Sequence, residues 1–305
     1  MRSLVARAAA AAAAALMIAG CNTVVIPMRI PRDVPDRASL AGNNPPAQMP
    51  RLDPLPGSEG ACENGMTNPA LDILIILDDS RSMADSQTAM KEQSARLVGR
   101  LTQLGLDYHL ALTTTSLDGS RRGPGALVTA GRTKVVTPGD TLGAAQAFWH
   151  LLDEVDTGGG VDEYGILTAA VALAAPTEQL TRYDEFGRSR TVSGARDPEF
   201  IRDNARTLVI IISDEDDGST VPAHPHFLLQ QRPKPEDLRV VAIVDPGAGP
   251  KQGCKKSSAW SGTPTYHDGV AALAGRGQII DFCADFGTSV DLIALLALQQ
   301  VCAAP

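Results

Sequence analysis

Aromatic side chains are scarce in this chain of 305 residues, which has 2 Trp, 4 Tyr and 6 Phe. Stacking on aromatic rings is therefore not predicted to be its main means of binding a ligand. Basic side chains are also in the minority. Residues 61–305 contain 21 Lys and Arg against 31 Asp and Glu. Because such a surface repels phosphate backbones, no nucleic acid partner is predicted.

Long hydrophobic runs are few. Residues 8–18 form an apolar run of eleven residues, preceded by Arg2 and Arg7 and by no acid. This run is too short for a permanent membrane-spanning helix, but its length and basic start are typical of a signal peptide. The sequence therefore predicts a signal peptide over residues 1–20.

The apolar run ends in LMIAGC, residues 16–21. These letters resemble the bacterial lipobox, in which an aliphatic residue, two small residues and a cysteine mark cleavage and lipidation. The resemblance implies a lipoprotein of the bacterial cell envelope, held on the membrane by acylated Cys21 without spanning it. Asn22, which is not Asp, implies the outer membrane, on either face. An ordinary secretory signal with a coincidental cysteine is the alternative.

Proline is concentrated between the lipobox and the rest of the chain. Residues 21–60 show no amphipathic period and contain prolines at positions 27, 31, 35, 45, 46, 50, 54 and 56. Such a composition cannot form a core and predicts a semi-extended tether. At about 3 Å per residue, this tether would hold a domain over residues 61–305 up to roughly 100 Å from the lipid surface.

From residue 71 onward, apolar β-branched runs alternate with segments of helical period. The predicted strands are 71–77, 106–115, 207–212, 238–244 and 278–281, and the predicted helices lie within 90–104, 142–155 and 166–173. This alternation predicts an α/β fold with a doubly wound, mainly parallel sheet flanked by helices, as in Rossmann-like domains. Residues 126–137 are predicted to form a hairpin or an edge strand. Residues 176–202 and 220–237 are predicted to be loops over one rim.

Oxygen-bearing side chains follow two of the predicted strands. Asp78, Ser80 and Ser82 come directly after the first strand, and Asp214 follows the strand at 207–212. Ligands of doubly wound sheets bind at the carboxyl ends of the strands. One carboxylate and two hydroxyls at alternate positions suit a hard cation such as Mg²⁺, and Asp214 would face the same point if the two strands are neighbours.

These residues resemble the metal-ion-dependent adhesion site (MIDAS) of the von Willebrand factor type A (vWA) domain. The chain is most similar to vWA-domain lipoproteins of the bacterial envelope, and the resemblance covers roughly residues 70–300. It rests on DxSxS at 78–82, DY at 107–108, LTTT at 112–115, FIR at 200–202 and SDEDD at 213–217. The family implies Mg²⁺ (or Mn²⁺ or Ca²⁺) held by Asp78, Ser80, Ser82 and Asp214. It also implies one position left for an acidic side chain of a protein or matrix partner.

The second metal loop departs from the family pattern. The family supplies a threonine just before the helix that here begins near Asp162, whereas this chain has Val161 or Asp162 at that place. Two substitutes remain open. Thr157 can reach over the glycines at 158–160, or Glu163 can supply an oxygen. An extra carboxylate would hold the metal more tightly and weaken its attraction for a partner's acid.

These side chains also fit other roles. Asp78 and Ser80 could merely cap the next helix, and Glu215 and Asp217 are predicted to lie in a solvated acidic turn. His224 and His226 hint at zinc, but the intervening Pro225 favours an incidental pair.

No enzyme is predicted. Ser80 stands where a phosphatase of the haloacid dehalogenase type needs a second aspartate. The strand ends lack a response-regulator acid–lysine set, and no Ser–His–acid set is in place.

With Cys21 lipidated, four cysteines remain, at positions 62, 254, 283 and 302. An even number in an oxidising compartment indicates disulfides, with three possible pairings, and four free thiols are the alternative. The termini of vWA domains lie close together, so the resemblance implies Cys62–Cys302 and Cys254–Cys283.

Two functions follow, with a minor third. The first is a membrane-anchored module that uses its cation to capture an acidic partner. The second is an envelope scaffold in which the metal site only stabilises the fold. The third is a metal-dependent hydrolase.

Overall fold

The computed structural model describes residues 44–58, 62, 69–117, 122–159, 163–183, 188–218, 223–245 and 263–302. All of them belong to one unit of the chain, residues 37–305. The predicted signal peptide, Cys21, residues 22–43 and 59–60 of the predicted tether, and Cys254 lie outside the described residues. Among the residues described, no helix is long and apolar enough to cross a bilayer.

Strands and helices alternate along most of the described chain. The strands are β1 (Ala70–Leu77), β2 (Asp107–Thr114), β3 (Val135–Val136), β4 (Gln179–Tyr183), β5 (Ser189–Ser193), β6 (Arg206–Ile212), β7 (Leu238–Val244) and β8 (Gly277–Asp281). The helices are α1 (Ala84–Gln103), α2 (Thr141–Asp153), α3 (Gly165–Leu173), α4 (Ala223–Leu229), α5 (Pro264–Ala271) and α6 (Phe286–Cys302).

Six of these strands form the central sheet, in the spatial order β3-β2-β1-β6-β7-β8. Its strand pairs are parallel except for the edge pair β2–β3. The strand order reverses between β1 and β6, which are direct neighbours with Leu77 opposite Ile212. The predicted α/β class and mainly parallel sheet are confirmed.

Alternate side chains of the sheet enter two separate cores. In β1, Ile73, Ile75 and Leu77 pack with α1, α2 and α6 on one face. Leu74 and Ile76 pack with α3, α4 and α5 on the other. Because helices cover both faces, the inner strands carry apolar residues at consecutive positions, as the sequence of β6 indicated.

The two segments predicted to be loops contain regular structure. Residues 176–202 include the antiparallel pair β4–β5, which forms a separate two-stranded sheet, and residues 220–237 include α4. The prediction failed because β4 and β5 are polar. Leu180 and Arg182 are buried, and the Arg182 guanidinium lies over the Tyr164 ring at 5.3 Å from its centroid.

Residues 44–58, which the sequence assigned to the tether, lie against the domain. Met49 and Leu52 cover Gly99 of α1 so closely that a Cβ at that glycine would lie 2.9 Å from Leu52 Cδ1. Leu55 is buried against Leu295 of α6. Residues three apart share one side of an extended, proline-rich chain, which places these three apolar side chains on the domain.

A disulfide joins Cys62 to Cys302, the last residue of α6, with 5.1 Å between their Cα atoms. This is the pairing that the family resemblance implies. Cys283 is also disulfide-bonded, and its predicted partner Cys254 lies outside the described residues. Because Arg206, at the start of β6, donates a hydrogen bond to the Gln300 carbonyl, α6 ends at the amino edge of the sheet.

Candidate metal centre

The candidate site lies at the carboxyl edge of the sheet, where the strand order reverses. β1 and β6 are parallel neighbours, so Asp78 and Ser213, the residues that follow them, are adjacent. Crevices at such a reversal are the usual ligand sites of doubly wound sheets. The neighbouring strand β2 contributes Thr115 and Ser116 to the same edge, since the Thr115 N–H donates to the Leu77 carbonyl.

Asp78 is fully buried and held through both carboxylate oxygens. Oδ1 accepts a hydrogen bond of 2.7 Å from the Ser80 N–H, and Oδ2 accepts one of 2.6 Å from Ser213 Oγ. The Gln87 side chain of α1 donates to the Asp78 backbone carbonyl at 3.1 Å. The carboxylate is therefore fixed by both strand ends and by the following helix.

The other three predicted ligands form one chain of hydrogen bonds. Ser80 Oγ and Ser82 Oγ are 2.9 Å apart, and Ser82 Oγ donates to Asp214 Oδ1 at 3.0 Å. Asp214 and Ser80 are buried, whereas Ser82 is exposed. The structure thus brings Asp78, Ser80, Ser82 and Asp214 together, with Ser82 at the solvent side.

Glu163 reaches the same edge from the segment that precedes α3. The backbone holds it in place, because the Tyr164 N–H donates to the Thr115 carbonyl at 3.2 Å and the Gly218 N–H donates to the Glu163 carbonyl. Thr115 Oγ1 donates to Glu163 Oε2. Oε1 is buried and has no hydrogen-bond partner among the described residues.

The electrostatic surroundings of Glu163 are dominated by burial and by like charges. Its side chain is 1% exposed. Burial, followed by the negative charge of Asp78, raises the pKa of Glu163 to about 9. These surroundings favour the neutral form of the Glu163 carboxyl group, and a nearby cation would favour the ionised form.

Asp79, which the sequence analysis did not single out, is buried next to Asp78. Burial raises the pKa of Asp79, although hydrogen bonds from Ser116 and Thr114 act to lower it. Ser116 Oγ donates to Asp79 Oδ1 at 2.7 Å. The Gly159 N–H donates to the Asp79 carbonyl at 3.0 Å, and a Cβ at Gly159 would lie 2.6 Å from Asp79 Cγ. Only glycine fits there.

Of the two candidates from the second metal loop, Glu163 contacts a strand end of the site directly. Thr157 is half-buried and precedes Gly159 by two residues, in the part of the loop that lies against Asp79. The sequence had left both open. The glycines at 158–160 permit the close approach of the loop to Asp79, but their sequence did not indicate which acid they would contact.

The acidic turn after β6 differs from its prediction. Asp217 is 4% exposed, and its Oδ2 accepts a hydrogen bond of 2.7 Å from the Ile166 N–H in the first turn of α3. Asp216 accepts from the N–H and the hydroxyl of Thr265 in the first turn of α5. Asp217 is thus not solvated. These two acids satisfy backbone donors at helix starts, and Glu215 is half-buried.

The histidine pair does not converge on a ligand. His224 is buried with Nε2 at 3.0 Å from the Thr181 carbonyl, and burial lowers its pKa. His226 is exposed on α4. Within the described ranges, no group of three or more His, Cys, Asp or Glu side chains is arranged to hold a metal ion, so the candidate centre depends on hydroxyls as well as on acids.

Comparisons with known proteins find likenesses among solved structures. No family model matches this sequence, and no curated protein matches it. Among solved structures, the open conformation of the pilus adhesin SpaC from Lactobacillus rhamnosus GG is similar, at 11% sequence identity and a TM-score of 0.45. The likeness covers 76% of this chain and 30% of the adhesin chain.

Proposed function

We propose that this protein is a binding module of the bacterial envelope that holds a divalent cation through Asp78, Ser80, Ser82 and Asp214. The observation that carries the proposal is the connected network at the strand reversal. Asp78 is joined to β6 through Ser213, and Ser82 is joined to Asp214, so the oxygens of two strand ends share one small volume.

The donor set suits Mg²⁺, Mn²⁺ or Ca²⁺. Every side-chain donor is a carboxylate or hydroxyl oxygen, which are the ligands that hard cations prefer. The charges of Asp78 and Asp214 balance one divalent ion. Glu163 Oε1, which has no hydrogen-bond partner within the described part of the chain, further supports a cation at this edge.

We propose that the cation contacts an acidic side chain of a protein or matrix partner on the side of Ser82, which is the exposed member of the set. This role is a binding role without catalysis. The proposal that the partner offers an acidic side chain comes from the resemblance of the sequence to vWA domains. The proposed location, at the outer membrane through a lipid anchor on Cys21, comes from the resemblance of residues 16–21 to a lipobox.

A second candidate function, an envelope scaffold with a purely stabilising cation, is favoured by one observation. Glu163 adds a third buried carboxylate to the site. A third negative charge strengthens retention of the cation and reduces its attraction for an acid from outside. Partner capture and fold stability must therefore be measured separately.

The experiment measures the melting temperature of the purified full chain with and without Mg²⁺, and capture of envelope proteins with and without EDTA. At a hundredfold excess of Mg²⁺ over Kd, binding stabilises the wild type by about 2.7 kcal/mol. Asp78→Ala should lose that shift, and Asp203→Ala, at a side chain that is 99% exposed, should keep it.

An equal Mg²⁺-dependent shift in Asp78→Ala and in the wild type would refute the site. EDTA that lowers the melting temperature but leaves partner capture intact would favour the scaffold function. A metal-dependent turnover that is lost in Asp78→Ala would favour the hydrolase.

A further inference from the structure

Residues 44–58, which we call the strap, lie on the domain without a backbone hydrogen bond to it, within the part of the chain that the structure describes. Five of the strap residues are prolines, which have no N–H to donate. The domain instead holds two strap carbonyls through its side chains. Gln146 Nε2 of α2 donates to the Pro46 carbonyl at 3.0 Å, and the Arg100 guanidinium of α1 donates to the Asp53 carbonyl.

Apolar contacts hold the strap at one glycine of α1 and at α6. The three atoms nearest to a Cβ added at Gly99 all belong to the strap, two of them to Leu52 and one to Met49. Leu55 packs on Leu295 and is the one strap residue that is buried, and most of the others are exposed. Segments with so few buried apolar contacts are the ones that open locally while the rest of a protein stays folded.

The surface under the strap is complete without it. Arg100 Nε donates to Asp291 at 2.9 Å and Arg100 Nη1 donates to Gln103 at 2.9 Å, so Arg100 keeps these partners when the Asp53 carbonyl leaves. The Cys62–Cys302 disulfide follows the strap and fixes the chain to the end of α6. Because this link is covalent, opening of the strap stops there and leaves β1 in place.

We infer that the strap is a separate unit, which leaves and rebinds the surface of α1 and α6 while the domain stays folded. A closed strap leads the chain off the domain beside α2, whereas an open strap leads it off at Cys62, at the amino edge of the sheet. Opening adds residues 44–61 to the free chain, which is roughly 50 Å of extended chain. The strap thus sets how far the domain reaches from the lipid surface. This effect on reach rests on the lipid anchor proposed above, whereas the opening does not.

Trypsin measures the opening, because Arg51 is exposed in the middle of the strap and a protease needs the segment around it to leave the domain. The full chain in detergent is digested under native conditions, and mass spectrometry quantifies the fragments that begin at Leu52. Gly99→Leu fills the space of the strap from the side of α1 and leaves the cleavage site unchanged. Leu55→Gln weakens the strap from its own side. Thr88→Leu, at an exposed position of α1, is the matched control.

We expect trypsin to cut Gly99→Leu at Arg51 about tenfold faster than the wild type, since overpacking favours the open form and proteolysis follows its population. Leu55→Gln should also be cut faster, and Thr88→Leu should be cut at the wild-type rate. The melting temperature of Gly99→Leu should equal or exceed that of the wild type, because leucine favours a helix more than glycine does. Overpacking of a core position would lower it.

A lower melting temperature in both Gly99→Leu and Leu55→Gln would overturn the inference, because the strap would then belong to the core. Cleavage of both variants at the wild-type rate would also overturn it, as would wild-type cleavage at Arg51 that begins only when urea unfolds the domain. Faster cleavage of both variants in a protein that cells do not hold on a membrane would support the opening and remove its effect on reach.

Discussion

Ser213 Oγ donates a hydrogen bond of 2.6 Å to Asp78 Oδ2, between the residues that immediately follow two neighbouring parallel strands. The other oxygen of Asp78 accepts from the Ser80 N–H. Both oxygens are thus oriented by donors before any ion arrives. Pre-orientation by such partners is what makes a set of ligands selective and tight.

Ser213→Ala should weaken both the fold and the cation site. A buried hydrogen bond to a charged group contributes about 1.5–3 kcal/mol, and its loss also frees the Asp78 carboxylate to rotate. Urea denaturation and Mg²⁺ titration measure the two effects. Ser193→Ala, at an exposed serine of β5, is the control. Equal results for the two variants would show that Ser213 does not orient Asp78.

Gly159→Ala should displace the loop that covers Asp79. The added Cβ would lie 2.6 Å from Asp79 Cγ, and overpacking of this kind costs about 1–3 kcal/mol. Gly158→Ala is the control, since the nearest atom to its added Cβ is Asp156 Oδ1 at 3.6 Å. The measurement is the free energy of unfolding. A Gly159→Ala protein as stable as Gly158→Ala would contradict the close approach.

Much of the fold follows from the sequence because its strands are buried on both faces. β1 and β6 consist of consecutive apolar residues, and the acids directly after them mark the carboxyl edge. Polar hairpins carry no such signal. β4 and β5 escaped prediction because β5 is exposed along most of its length and its apolar content is low.

The candidate metal centre was predictable where its residues directly follow a strand and unpredictable where a loop contributes them. Asp78 and Asp214 each follow a strand. Glu163 follows a glycine-rich loop whose path depends on contacts with Asp79 and Thr115. The contact of Asp72 was also unpredictable from the sequence. This residue lies inside β1 and is fully buried, but its partner Arg202 lies 130 positions away and binds it at 2.8 Å.

Acid should weaken the contact between α6 and α1. Burial alone would raise the pKa of Asp291, but hydrogen bonds from Arg96 and Arg100 outweigh burial and hold it below 3.8. A lowered folded-state pKa contributes stability that is complete above roughly pH 5 and is lost as the pH falls through the folded-state pKa. Asp291→Asn should therefore lower the free energy of unfolding at pH 7 and flatten its decline at acid pH.

Denaturant titrations between neutral and acid pH check this expectation. Asp203→Asn, at a 99% exposed side chain, is the control and should retain the wild-type pH dependence. If Asp291→Asn and the wild type had the same free energy of unfolding at every pH, the ion pair with Arg96 and Arg100 would add nothing to stability.

Cys21→Ser should release the protein from membranes. The substitution removes the thiol that the proposed lipobox would supply for acylation, and acyl chains are the proposed anchor. Fractionation of cells that express the wild type and the variant measures the membrane-bound share. Cys283→Ser, which also removes a cysteine, is the control. A Cys21→Ser protein that stays in the membrane fraction would contradict the lipid anchor.

The disulfide between Cys62 and Cys302 also decides how this domain responds to a pull. It joins the chain ahead of β1 to the last turn of α6, at the sheet edge opposite Asp78 and Asp214. Tension that arrives along the chain at Cys62 is divided between β1 and α6 before it reaches the far edge. A load between Cys62 and the carboxyl edge of the sheet is thus shared by a hydrogen-bonded strand and a packed helix, and it cannot peel either one away alone.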